Sequence, residues 1–113
     1  MRGLNKVQLI GNLGKDPDFQ TLEGNISVAK FTLATTELFK DKNGQLHSQT
    51  DWHQVVLWRG LADLAQKYLS KGSLVYIEGK LKTRNYNDPS GNKHYVTEIV
   101  AEELILLDKK MGE

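Results

Sequence analysis

The sequence predicts an all-β fold: a five-stranded Greek-key barrel with one short helix between strands 3 and 4 and long β-hairpin loops. Three observations predict it. Apolar residues recur mostly with period two, the period of strands. One segment alone, residues 60–70, carries a helical period, with Leu61, Leu64, Ala65, Tyr68 and Leu69 on one face. That helix follows three strand-like runs and precedes two, the order of an OB-fold barrel. Closing the sheet removes aggregation-prone edges, which suits so β-rich a chain. An open α+β sheet with the helix on one side is the runner-up.

The elements follow from local chemistry. Val7 to Leu13 alternates as a first strand, with Gly11 read as a bulge or bend. Asp16-Pro17 punctuates it, Phe19 to Leu22 continues extended, and Glu23-Gly24-Asn25 turns. Ile26 to Thr36 is rich in Val, Phe, Thr and Leu, and a slip between Val28 and Ala29 predicts a bulge. Leu38 to Gln49 is polar around Asp41-Lys42-Asn43-Gly44, read as a long mobile loop with a tight turn. Thr50 to Trp58 is the third strand. Gly72 stops the helix. Leu74 to Tyr86 and Lys93 to Val100 flank a second loop at Asn87 to Asn92, and Leu104 to Leu107 is a last apolar run. No repeat or linker is evident, so residues 1–108 read as one domain and 109–113 as a short extension.

Composition narrows the function. The 113 residues carry a net charge of +1 and no cysteine. A disulfide framework, a thiolate metal site and a Cys nucleophile are excluded. His47, His53 and His94 lack ligand spacing, and no phosphate loop, Rossmann pattern or serine elbow occurs. No catalytic residue, cofactor or metal is therefore expected, and the chain reads as a non-enzyme. No apolar run is long enough to span a membrane, and the N-terminus lacks a signal-peptide core. The expected location is cytoplasmic, with the mitochondrial matrix as the alternative for a processed chain.

Strand parity then separates local from global charge. Trp52, Gln54, Val56 and Trp58 share one face, and His53, Val55 and Leu57 the other. Val75, Ile77, Gly79 and Leu81 form an apolar face toward the core. Opposite them run Tyr76, Glu78, Lys80, Lys82, Arg84 and Tyr86. From Lys71 to Lys93 five basic residues face two acidic ones, a local balance of +3. Alternating cations beside aromatic rings suit a flexible polyanion with unpaired bases: phosphates meet the cations and bases stack on the rings. A duplex hides its base faces, so such a platform selects single strands. The competing reading is a partly buried Trp set and a solvated, edge-protecting Lys/Arg face.

Five ordered blocks add a resemblance. Gly3-Leu4-Asn5-Lys6-Val7-x-Leu9-Ile10-Gly11-Asn12-Leu13-Gly14-x-Asp16-Pro17 resembles the opening of the bacterial and mitochondrial single-stranded DNA-binding protein family. Phe31 to Thr35, Thr50 to Leu57, Tyr68 to Ser73 and Val75 to Arg84 resemble its later blocks. The resemblance implies an OB-fold, a homotetramer and single-stranded DNA wrapped over the outside. It implies that Phe39, Trp52, Trp58 and Tyr86 stack on bases, with rings exchanged relative to the family's usual Trp and Phe positions. Lys42, Arg59, Lys71, Lys80, Lys82 and Arg84 are the candidate phosphate contacts, with Arg2 and Lys15 as extras. It also implies that Lys6, His53, Tyr76 and Glu78 lie between subunits, with Lys6 and Glu78 pairing across chains. Family members continue into an acidic tail that recruits replication and repair proteins. The sequence stops at Glu113 without one; taken as the natural length, that implies a specialised protein or partners that dock elsewhere, and a truncated sequence accounts for it equally. Two rival functions remain: a primosome-type OB paralogue bridging DNA and a helicase-loading partner, and an OB adaptor without nucleic acid.

Overall fold

In the computed structural model, which describes residues 2–108, six strands and one helix build a closed barrel with two projecting arms. The elements are β1 (Val7–Leu13), β2 (Asp18–Leu22), β3 (Ile26–Lys40), β4 (Leu46–Trp58), α1 (Gly60–Tyr68), β5 (Leu74–Asn87) and β6 (Lys93–Leu106). The sheet order is β1-β5-β6-β4-β3-β2, and β1 also pairs with β3. That extra pairing closes a five-stranded barrel, as expected, and leaves β2 as a hairpin partner of β3 outside it. The extension expected at 109–113 lies outside the described residues.

Closure turns on β1, which changes partner along its length. Val7 to Asn12 pair antiparallel with β5, then Asn12 and Leu13 pair with Ala34 and Leu33 of β3. At the changeover a Cβ on Gly11 would fall on the Ala34 carbonyl oxygen. Gly11 is therefore a close-approach glycine; of the bulge or bend read from sequence, the bulge is absent, since the β1–β5 register passes Gly11 without a break. The other side closes through a short parallel contact, Val55 with Ile99 and Val56 with Val100. Parallel neighbours need a long crossover, supplied here by α1 and β5.

The core follows strand parity. Phe31, Leu33, Val55, Leu57, Val75 and Ile77 point inward and are buried. Each such side chain contributes about 1.5–3 kcal/mol of burial. The helix packs on this core through Ala62, Ala65 and the following Leu69. Small alanines let its backbone approach closely. Helical period alone had put Tyr68 on that face; Tyr68 is exposed, and the helix ends there instead of at Ser70. Gly72, at φ 91°, then reverses the chain, and its N–H donates to the Leu13 carbonyl at 2.9 Å.

Three more readings change. The β3–β4 register runs unbroken from Val28–Trp58 to Lys40–Leu46, so no bulge lies at Val28. Val28 and Ala29 are both buried, Ala29 in the core and Val28 on the floor of a groove in the outer face. The real irregularity is in β6, where Glu78 faces Glu103 and Gly79 faces Ala101, leaving Glu102 as the extra residue. The run Leu104 to Leu107 is not separate, since β6 continues through that bulge to Leu106. Leu81, expected in the core, is exposed, because beyond Gly79 β5 leaves the barrel as an arm.

Candidate nucleic-acid interface

The arms replace the loops expected from sequence. β3 and β4 stay paired to Lys40–Leu46, and β5 and β6 to Asn87–Lys93. Each ends in a tight turn with glycine in the left-handed region, Gly44 at φ 81° and Gly91 at φ 88°. An aspartate caps each turn. Asp41 Oδ1 accepts the N–H groups of Asn43 and Gln45 at 2.8 and 2.9 Å. Asp88 Oδ1 accepts those of Ser90 and Asn92 at 3.0 and 2.8 Å. Asp at the first turn position, Pro89 at the second and Gly at the fourth are the residues a type I turn favours.

Each tip also holds a ring pair. The Phe39 and His47 rings stack with centroids 5.5 Å apart, and Tyr86 and His94 with centroids 5.2 Å apart. The His47 and His94 Nε2–H groups donate to Asp41 and Asp88 Oδ2 at 2.7 and 2.8 Å. These bonds, ahead of the backbone ones, hold both carboxyls below the usual aspartate range. A depressed carboxyl pKa stabilises the fold above the unfolded value and loses that contribution as pH falls through the folded one. Protection of the four capped amides is therefore expected to drop selectively as pH falls below about 4. Hydrogen-exchange protection factors, corrected for intrinsic rates, check it; equal protection at neutral and acid pH would contradict the cap.

The stacking candidates are all open to solvent: Trp52 is 60% exposed, Phe39 49%, Tyr86 46% and Trp58 42%. Trp58 lines a groove with Lys30, Lys82, Arg84 and Glu98, floored by Val28, Val56 and Val100. Lys80 joins Trp58 and Lys82 along its continuation. Trp52 lies against Gly14; a Cβ there would sit 2.5 Å from its ring. Phe39 and Tyr86 stand on the two arms. The structure thus brings Trp58, Lys80, Lys82 and Arg84 together and places the other rings around them.

The remaining basic candidates are dispersed. Lys42 sits in the first arm's turn. Arg59 joins Trp58 to α1 at φ 56°, its N–H donating to the Ser27 carbonyl at 2.8 Å. Lys71 precedes β5, its N–H donating to Asp16 Oδ1 at 2.8 Å. Two of the β5 cations, Lys80 and Arg84, are matched by β6. Arg84 makes two bonds to Glu98, at 3.1 and 3.2 Å, and Lys80 lies 3.5 Å from Glu102. Lys82 makes no ion pair among the described residues. Sequence reasoning missed Lys30, because the supposed bulge at Val28 hid its parity, and it missed Gly14 and Glu98.

The four residues expected between subunits form a chain within one protomer, apart from His53. Lys6 Nζ is 3.1 Å from Glu78, so the pair expected across chains closes inside a single chain. The Tyr76 hydroxyl donates to Glu78 at 2.6 Å and accepts from Gln8 Nε2 at 3.0 Å. The Tyr76 bond and then Lys6 hold Glu78 below the usual glutamate range, while Glu78 raises both Lys6 and Tyr76. His53 is half-buried and bonded to Thr35 at 2.9 Å.

Known proteins resemble this chain in sequence and in fold. The model of the single-strand binding protein family matches residues 4–107. Single-stranded DNA-binding protein 1 of Chlorobaculum tepidum is 51% identical over 110 residues, covering 96% of this chain and 68% of the relative. Its namesake in Xylella fastidiosa is 47% identical over 111 residues, covering 97% and 82%. The solved structure described as Plasmodium falciparum SSB complex with ssDNA superposes with a TM-score of 0.86 at 41% identity, covering 96% of this chain and 98% of that one. A barrel of this topology, with that match across nearly its whole length, places the chain in the single-strand binding protein family.

Proposed function

We propose that this protein binds single-stranded DNA with little sequence preference, protecting exposed strands and melting hairpins in replication, recombination and repair. The carrying observation is the groove in which half-exposed Trp58 lies beside Lys82 and Arg84. Rings take bases of any sequence, and cations take phosphates. Phe39, Trp52, Trp58 and Tyr86 are the stacking residues. Lys82 leads the phosphate contacts, joined by Lys42, Arg59, Lys71, Lys80 and Arg84. No chemistry is needed: a protein that binds only the unpaired form draws the duplex equilibrium open by mass action.

Titration with oligothymidine at several salt concentrations tests this reading. Tight binding with a negative slope of log K against log salt, about 0.7 per phosphate contact, is expected. Absence of tryptophan quenching, or binding indifferent to salt, would reject it in favour of an adaptor without nucleic acid. Gly14→Ala would push the Trp52 ring off its seat and is expected to weaken binding roughly fivefold, the equivalent of about 1 kcal/mol of stacking. An unchanged dissociation constant would remove Trp52 from the platform.

We also propose a homotetramer whose contacts include Lys6, His53, Tyr76 and Glu78. Ile10, Tyr76 and Ile105 are aligned across β1, β5 and β6, and both isoleucines are exposed, an apolar patch beside the Glu78 cluster. Glu78→Lys would set Lys6 against a second cation within that patch. It is expected to lower the mass measured by light scattering at low concentration; an unchanged mass would clear Glu78 of that role.

A further inference from the structure

The two arms are copies of one device. Thr36, Phe39, Asp41, Gly44, His47 and Thr50 recur at identical spacing as Thr83, Tyr86, Asp88, Gly91, His94 and Thr97. The geometry repeats with the residues. Phe39 is directly opposite His47 in register, and Tyr86 opposite His94. The ring planes are inclined by 24° and 21°. The threonine hydroxyls pair across each arm, three residues below the rings, at 3.0 and 3.2 Å.

The histidines are not needed to make the turns. Aspartate, glycine and backbone bonds already close them, with Gly44 and Gly91 N–H donating to the Asp41 and Asp88 carbonyls at 3.0 and 2.9 Å. What the histidines add is a wall. Each imidazole is fixed by a bond to the capping carboxylate and covers one face of the aromatic ring opposite. The other face is left for a ligand, on a ring that no longer rotates freely. Ordering a side chain at binding costs affinity, and a ring ordered on folding avoids that cost.

We infer that His47 and His94 are positioning residues for single-strand binding, each holding its cross-strand ring, Phe39 or Tyr86, as a preset base platform. The inference rests on the reading that those two rings stack on bases. It assigns the imidazoles a role through the rings, not a contact with the strand.

A double-mutant cycle on the 113-residue chain tests it, with oligothymidine as probe. Phe39→Ala weakens binding. His47→Ala is expected to weaken it by roughly two- to tenfold, the factor that ordering one side chain represents. Adding His47→Ala to Phe39→Ala is expected to cost nothing more. His47→Phe restores a stacked ring without the carboxylate bond and recovers most of the affinity. The Tyr86–His94 arm behaves alike, and melting temperatures stay within the spread of surface variants. In the free protein, the His47 ring protons are shifted upfield by Phe39, and the shift disappears in Phe39→Ala. If Phe39→Ala weakens binding but His47→Ala does not, the positioning role falls while stacking stands. If His47→Ala costs the same factor with or without Phe39, the imidazole touches the strand itself and the inference is overturned. If Phe39→Ala changes nothing, the stacking reading of that arm fails first. Absence of the upfield shift overturns the stacked arrangement directly.

Discussion

Trp58→Ala is expected to weaken oligothymidine binding by about 5- to 150-fold, the factor equivalent to the roughly 1–3 kcal/mol that one stacked base contributes in single-strand binding proteins of this class. The expectation is specific to Trp58 because of its place. It ends β4 where the chain turns through Arg59 into α1, so its backbone is held on both sides. It sits opposite Val28 in register and lines the groove that also contains Lys82 and Arg84. A base on this ring would bring its phosphate to those cations. Fluorescence anisotropy of labelled oligothymidine at fixed salt gives the affinity. The salt series gives a second, independent reading. Removing a ring removes no phosphate contact, so the slope is expected to stay unchanged. Lys82→Ala is expected to reduce the slope by about 0.7. Wild-type affinity in Trp58→Ala would take the groove out of the binding site.

The charge around that groove shows where reading the sequence stops. Parity alone aligned Lys80, Lys82 and Arg84 on one face, and the structure keeps them there. Parity cannot say which strand lies alongside. The neighbour is β6, whose Glu98 and Glu102 reach Arg84 and Lys80. A segment balance of +3 is therefore partly cancelled by acids outside the segment. The exposed Lys80–Glu102 pair is weak, about 0–1 kcal/mol, so Lys80 can exchange its carboxylate for a phosphate at small cost. Glu98 is the more enclosed partner, with its side chain 12% exposed, and its two bonds orient the Arg84 guanidinium along the groove.

The barrel was legible because its cause is local. Alternation in β3, β4 and β5 reports which side faces the core, and the single helical period reports the crossover. The arm repeat was not. Its five identical residues and one aromatic pair are spread over fifteen positions, separated by residues that mostly differ in kind. Phe39 and His47 become neighbours only once the turn sets the register. The Asn43-Gly44 pair signalled a tight turn inside a long loop, whereas the strands stay paired up to a turn of three residues between Asp41 and Gln45. With that register, Phe39 falls opposite His47. The four candidate rings are exposed, but nothing in the sequence ties them to their supports: Gly14 lies in the opening block with no sign that it seats Trp52, and the two histidines carry no period or motif of their own.

The largest effect on the fold is expected at Gly11. Glycine was read there as a bulge or bend, a role in which alanine is an ordinary replacement. The structure gives a different reason for it. Among the described residues β1 is the only strand that pairs with both β5 and β3, and its passage from one to the other brings the Gly11 backbone onto β3 at Ala34. The atoms that a Cβ would meet first are the Ala34 carbonyl oxygen and carbon, then Leu33 Cγ. None is the free end of a flexible side chain. Relief requires β1 to lift from β3, which breaks the Asn12–Ala34 and Leu13–Leu33 pairs and opens the barrel over Leu33, a fully buried core residue. Overpacking typically costs about 1–3 kcal/mol, and an obstacle made of backbone puts Gly11→Ala at about 3 kcal/mol or more. For a chain of this size that is a fall in Tm of roughly 12 °C or more, measured at fixed protein concentration so that assembly does not shift the midpoint. Gly14→Ala, whose Cβ meets mainly the movable Trp52 ring, is expected to fall much less. If the two variants melt together, β1 is not the seam that closes the barrel.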